Sequence, residues 1–142
     1  MCTTQRPLHV LHVDDAPDIR ALLREVLEDE GYRVTSAAFV QQVATVRMLA
    51  PDLIVHELLF AGQTPAGWPF LHALRQDPQV GQVPVILCTA DRRVHTEPSW
   101  AQQVQALGLR VMTKPFDLTD FLALLELTLP QPGSAWLRAL HA

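Results

Sequence analysis

The chain has 142 residues, 49% of them hydrophobic and 18% charged, enough apolar material for one domain with a real core and too little length for a second. A formal net charge of −4 and the absence of any Lys/Arg-rich run argue against a nucleic-acid footprint, and no apolar run approaches the roughly 20 residues of a membrane span. Met1 to Pro7 is polar and lacks a secretory apolar segment, so a cytoplasmic location is the default expectation; neither Cys2 nor Cys88 has sequence support for a disulfide.

Short runs of branched residues alternate with segments of helical spacing, which predicts repeated βα units around a parallel sheet. Leu8 to Val13 reads as the first strand and Asp18 to Glu30 as the first helix, with Pro17 at its start, Gly31 at its end and Ile19, Leu22, Leu23, Val26 and Leu27 as its apolar stripe. Arg33 to Ala38 reads as the second strand. Phe39, Val43, Val46 and Ala50 share one face of the second helix, which Pro51 stops before a third strand from Asp52 to Leu58.

A Gly- and Pro-containing loop, Phe60 to Gly67, leads to a third helix from Trp68 to Gln76, and Val83 to Thr89 is the fourth strand. A polar loop from Ala90 to Glu97 precedes a fourth helix with Trp100, Val104 and Leu107 on one side. Arg110 to Thr113 is the fifth strand, and Asp117 is placed to cap a fifth helix ending near Leu129. Pro130 to Ser134 reads as a linker and Ser134 to Ala142 as a short helical tail. The expected domain is therefore 8–129, with 130–142 as linker and tail.

In such a sheet, ligands sit beyond the carboxyl ends of the strands. Strand one ends in Asp14 and Asp15, strand three in Glu57, strand four in Thr89 and strand five in Lys114 and Pro115. Carboxylates gathered at one edge repel, by about 4 kcal/mol for two charges ~4 Å apart at an effective dielectric of 20. The cluster calls for a cation, a raised pKa, or both, and Mg²⁺ suits oxygen ligands. Lys114 is the only lysine in the chain, a compact charge where every other basic position holds arginine.

His12-Val13-Asp14-Asp15, Pro51 through Leu58, Cys88-Thr89-Ala90 and Thr113-Lys114-Pro115-Phe116 together resemble the four signatures of two-component response-regulator receiver domains, over roughly Leu8 to Leu129. The resemblance implies a flavodoxin-like, doubly wound (βα)5 three-layer sandwich of sheet order 2-1-3-4-5, with a cis Lys114-Pro115 peptide. It also implies a non-enzymatic cytoplasmic module of a bacterial phosphorelay, with a histidine kinase or other signalling protein as partner. Asp14 and Asp15 match the acidic pair that binds Mg²⁺, Thr89 the hydroxyl and Lys114 the ammonium that contact a phosphoryl group, and the Leu59 carbonyl a metal ligand.

Four features depart from the family pattern. Glu57 stands where the family has its phosphoacceptor aspartate, Val111 where it has an aromatic switch residue, the Phe60 to Gly67 loop runs slightly long, and His12 and His56 occupy strand positions that are usually apolar. One added methylene moves the Glu57 carboxylate outward by roughly 1.5 Å, towards the phosphoryl position, where it is expected to pair with Lys114 and accept from Thr89. That arrangement imitates part of an acyl phosphate; the plain alternative is a structural charge cluster. Weak or absent Mg²⁺ binding follows, as does signalling without phosphorylation, the alternative being a working Mg²⁺-dependent acceptor with an unusual site.

His12 and His56 lie on neighbouring strands and read either as a pH-sensitive or metal-binding pair or, more ordinarily, as core histidines with a satisfied hydrogen bond. Arg92, Arg93 and His95 read as solvated surface. On the fifth helix Leu118, Phe121, Leu122 and Leu125 fill a core stripe and leave Leu124 and Leu127 outside it. That surface is expected to be covered by a homodimer or partner across the fourth helix, fifth strand and fifth helix, or by Trp136, Leu137 and Leu140 of the tail.

Overall fold

The computed structural model describes residues 6–60, 65 and 67–129. Cys2 and the expected tail helix lie outside them. The elements run β1 (His9–Val13), α1 (Pro17–Asp29), β2 (Arg33–Ala37), α2 (Val43–Leu49), β3 (Leu53–Glu57), α3 (Gly67–Gln76), β4 (Val85–Thr89), α4 (Arg93–Thr96), α5 (Pro98–Ala106), β5 (Arg110–Thr113) and α6 (Leu118–Thr128). The five strands pair in parallel in the order β2-β1-β3-β4-β5, the flavodoxin-like arrangement.

Strand alternation sorts the core into two layers, one on each face of the sheet. Val10, Leu53, Val55, Ile86 and Cys88 face α1 and α6, where Leu23, Leu27, Phe121 and Leu125 close the layer. Leu11, Val13, Ile54, Val85 and Leu87 face the other way, onto Val46 of α2, Phe70, Leu71 and Leu74 of α3, and Val94 of α4. All five residues of β1, of β3 and of β4 are buried, as strands covered by helices on both faces must be.

Several local expectations need correction. The second helix is shorter than its apolar spacing implied: Phe39 and Ala50 both lie outside it, Phe39 is 42% exposed and Val40 enters the core instead. Ala50 adopts a left-handed conformation with φ 46° immediately before Pro51, whose ring disfavours continued helix at the preceding residue. The stretch from Ala90 to Glu97 is not a plain loop, since it carries the single-turn helix α4. Glu97 is extended because Pro98 follows, and Pro98 then opens α5 at a position where a missing N–H costs nothing.

On α6, Asp117 caps the helix as expected, its side chain accepting from the Thr119 N–H at 2.7 Å. Leu124 is half-buried against the α1 and α6 layer, contrary to expectation, whereas Leu127 is 71% exposed. His12 and His56 do sit on neighbouring strands but do not form a pair. The register matches His12 with Val55 and Val13 with His56, so the two rings project to opposite faces.

Candidate functional site

The carboxyl ends of the strands carry two rows of side chains, separated by strand alternation. Asp14 shares the parity of Val10, Glu57 that of Val55, and Lys114 that of Met112, so these three lie on the α1 and α6 side. Lys114 Nζ donates to Asp14 Oδ2 at 2.6 Å and to Glu57 Oε1 at 3.1 Å. The second oxygens are occupied by backbone: Asp14 Oδ1 accepts from the Ala16 N–H at 2.9 Å, and Glu57 Oε2 from the Leu58 N–H at 2.7 Å. Arg20 adds a bond to the Asp14 carbonyl at 2.7 Å.

Thr89 belongs to the other row. It shares the parity of Val85 and Leu87 and is the register partner of Thr113 on β5. Its hydroxyl accepts from the Asp91 N–H at 3.2 Å, so the expected bond from Thr89 to Glu57 is replaced by one within the loop that follows Thr89. The Lys114 N–H donates to the Thr89 carbonyl at 2.8 Å and the Lys114-Pro115 peptide is cis.

The charged row is largely withdrawn from water: Asp14 is 1% exposed and Glu57 7%. Burial pushes the Glu57 carboxyl above the ordinary carboxylate range, against the pull of Lys114 and the Leu58 bond. Burial also works against the Lys114 ammonium, yet the bond to Asp14 and the charge of Glu57 hold it above its ordinary value. The same ion pair raises Lys114 and pulls Glu57 down, but at Glu57 burial is the larger effect. The ammonium is shared and sits nearer Asp14, so Glu57 receives the smaller part of its stabilisation.

Glu57 is also fixed from below. The Gly67 N–H bonds the Leu58 carbonyl at 3.1 Å, and a side chain at Gly67 would place its Cβ 3.1 Å from the Glu57 carbonyl oxygen and 3.2 Å from Leu58 Cα. His56 Nδ1 contacts the same Glu57 carbonyl oxygen at 2.6 Å while its ring stacks on Phe70. Its Nε2, like His12 Nδ1, is buried without a partner, so neither ring is fully satisfied. Burial lowers both imidazoles to about 4. Cys88, behind the site, is a buried free thiol pushed up to about 12 by burial.

The Mg²⁺ implied by the resemblance does not fit this arrangement. Both oxygens of Asp14 and both of Glu57 already accept hydrogen bonds, and the charge between them is an ammonium. Asp15 is exposed. Among the described residues no three His, Cys, Asp or Glu side chains group to hold a metal ion. Leu59 lines a cleft of ≈ 370 Å³ with Ala90, Asp91, Arg92 and Arg93.

Three contacts near the site escaped the sequence reading. Asp91 binds Arg93 through both carboxylate oxygens, the Arg93 guanidinium lies 4.3 Å over the Trp100 ring, and His95 Nε2 is hydrogen-bonded to Thr113 Oγ1 at 2.8 Å. Arg93 and His95 are exposed, as expected of a solvated surface, and each also holds a side-chain partner. An acid two residues before an arginine was the available signal for the first contact; the others join distant parts of the chain.

Residues 10–126 match the family model described as the response regulator receiver domain, and the chain belongs to that family. It is 29% identical over 129 residues to the probable transcriptional regulatory protein TcrX of Mycobacterium tuberculosis, covering 90% of this chain and 52% of that protein. The chain thus spans about half the length of that relative. It is 30% identical over 125 residues to an uncharacterized 14.6 kDa protein of Leptolyngbya boryana, covering 87% and 91% of the two chains. The chemotaxis response regulator CheY4 of Vibrio cholerae superposes with a TM-score of 0.73 at 28% identity, covering 87% of this chain and 100% of that one. The chain is accordingly a receiver domain of two-component signalling, and no helix among its described residues is long and apolar enough to cross a membrane.

Proposed function

We propose that this receiver domain signals by protein–protein interaction without being phosphorylated, Glu57 occupying the family's phosphoacceptor position. One observation carries the reading: both oxygens of the Glu57 carboxylate are engaged, one by Lys114 and the other by the Leu58 N–H. A carboxylate that is to attack phosphorus needs a free oxygen in line with the leaving group and a cation shared with the incoming phosphoryl. Here Lys114, the cation that contacts Glu57 among the described residues, is already neutralising two buried carboxylates. Phosphoryl mimicry requires contacts from both Lys114 and Thr89, and only Lys114 makes one, Thr89 being turned to the opposite row, so the arrangement favours a structural charge cluster over full imitation of the phosphorylated state.

The partner is a histidine kinase or another signalling protein, or a second copy across α5, β5 and α6, where Leu127 leaves apolar surface uncovered. The test is incubation with Mg²⁺ and a small acyl-phosphate donor followed by intact-mass spectrometry. No gain of one phosphoryl group is expected. A stable gain mapped to Glu57 overturns the reading.

A further inference from the structure

The two rows at the strand ends are separate in space but joined through the chain: Thr113, in the hydroxyl row, is followed by Lys114, in the charged row. Thr113 carries the bond from His95 at 2.8 Å, and His95 lies on α4. Val111, two residues earlier on the same face, is a half-buried aliphatic residue packed against the core and has no polar atom with which to report a change at the site. The β4-to-α4 segment is otherwise held by Val94 in the core, by Asp91 to Thr89 and Arg93 to Asp91 within itself, and by Arg93 over Trp100 of α5. Among the described residues, the bond from His95 to Thr113 is the side-chain hydrogen bond that joins α4 to β5.

We infer that the His95 and Thr113 pair is a latch coupling the Asp14, Glu57 and Lys114 cluster to α4. A shift of Lys114 away from Glu57 moves the end of β5, and the latch passes that movement to α4. Pro98, at the start of α5, breaks the helix after Thr96, so α4 is a single turn with its own ends, packed against α5 through Arg93 and Trp100. The latch rests on the reading of the charged row given above only for what it transmits; the coupling itself does not depend on whether Glu57 accepts phosphate.

The experiment is amide hydrogen exchange on the full chain, comparing wild type with His95→Ala, Thr113→Val and their double variant, and with His95→Gln and Thr113→Ser as conservative controls. Loss of one solvent-facing hydrogen bond should speed exchange at Val94 to Glu97 about threefold, with α1 amides unchanged. The double variant should be no faster than either single one, and Gln and Ser should restore wild-type rates. Lys114→Met should speed the same amides in the wild-type background and leave them unchanged when His95 is already Ala. Single variants indistinguishable from wild type, additive effects in the double variant, or an equal Lys114→Met effect with and without His95 would each overturn the latch. None of these readings involves a phosphoryl group, so they fail separately from the mass test of Glu57.

Discussion

Lys114 lies closer to Asp14 than to Glu57, at 2.6 Å against 3.1 Å, and is the only ammonium available to either. Removing it leaves two buried carboxylates facing each other. Lys114→Ala is therefore expected to destabilise the fold by about 3 kcal/mol, the order found when one partner of a buried pair is lost. Glu57→Gln, which keeps the shape and leaves Lys114 bound to Asp14, should cost less than about 1 kcal/mol. Adding Glu57→Gln to Lys114→Ala should recover part of the loss. Urea unfolding of the three variants reads this directly, and equal losses for both single variants would contradict the unequal sharing.

Glu57→Asp shortens the side chain beyond easy reach of both Lys114 and the Leu58 N–H. Its carboxylate is then free while Asp14, Asp15, Thr89 and Lys114 remain. Mass spectrometry after exposure to an acyl-phosphate donor in Mg²⁺ buffer is expected to show one added phosphoryl group in this variant, none in wild type, and less in Glu57→Asp combined with Lys114→Ala. Calorimetric titration should likewise show Mg²⁺ binding more tightly to Glu57→Asp than to wild type. An inert variant would mean that the site has diverged at more than this residue.

Two buried imidazoles, His12 and His56, are held near 4, against 6.5 in the unfolded chain. Because the folded values are depressed, the unfolded chain takes up protons first as pH falls. Stability is full above about pH 6.5 and declines between there and pH 4, by on the order of 2 kcal/mol per histidine at pH 5. Glu57 opposes this, since its raised folded pKa means that protonation on acidification returns some stability. Net loss is expected because two histidines act against one carboxyl. Denaturant midpoints at pH 7 and pH 5 measure it, and His56→Phe, which keeps an aromatic ring against Phe70, should flatten the dependence.

Arg75, at the end of α3, donates from Nε to the Leu107 carbonyl at 2.6 Å and from one terminal nitrogen to the carbonyls of Gly81 and Val83. One planar guanidinium thus ties the α3-to-β4 loop to the end of α5. Arg75→Ala should cost about 2–3 kcal/mol, the value of charged hydrogen bonds to carbonyls that are otherwise left unmet. Lysine cannot span the same fork, so Arg75→Lys should recover less than half in a thermal melt. A loss below about 0.5 kcal/mol would show that water replaces these bonds.

The chemistry at the sheet edge was legible because it depends on where each strand stops, and apolar runs ending in Asp14, Glu57, Thr89 and Lys114 mark those stops directly; the sheet order came only with the family resemblance, since alternating strands and helices fit more than one doubly wound order. The separation into two rows was legible too, by counting alternate residues back from Thr89 to Leu87 and Val85, although the expected bond between Thr89 and Glu57 ignored it. Opposite faces for His12 and His56 follow from register, which pairs Val13 with His56 and is a property of two strands together. The engagement of His95 by Thr113 and of Arg75 by Leu107, Gly81 and Val83 joins segments whose approach depends on the finished packing. The short second helix reflects competition: Phe39 fits a helical stripe, but Val40 fits the core.

The bond from Gly67 to Leu58 closes the neck of the segment between them, and the missing Cβ lets that neck shut directly against the backbone of Glu57. Residues added beyond the neck enlarge a ring whose two ends stay where they are, at an entropic cost that grows only slowly with length. The stretch between Leu58 and Gly67 is therefore a natural place to lengthen the chain, by a tag or a grafted peptide, without moving the Glu57 carboxylate. Replacing Gly67 itself would transmit every such change straight into the charged row.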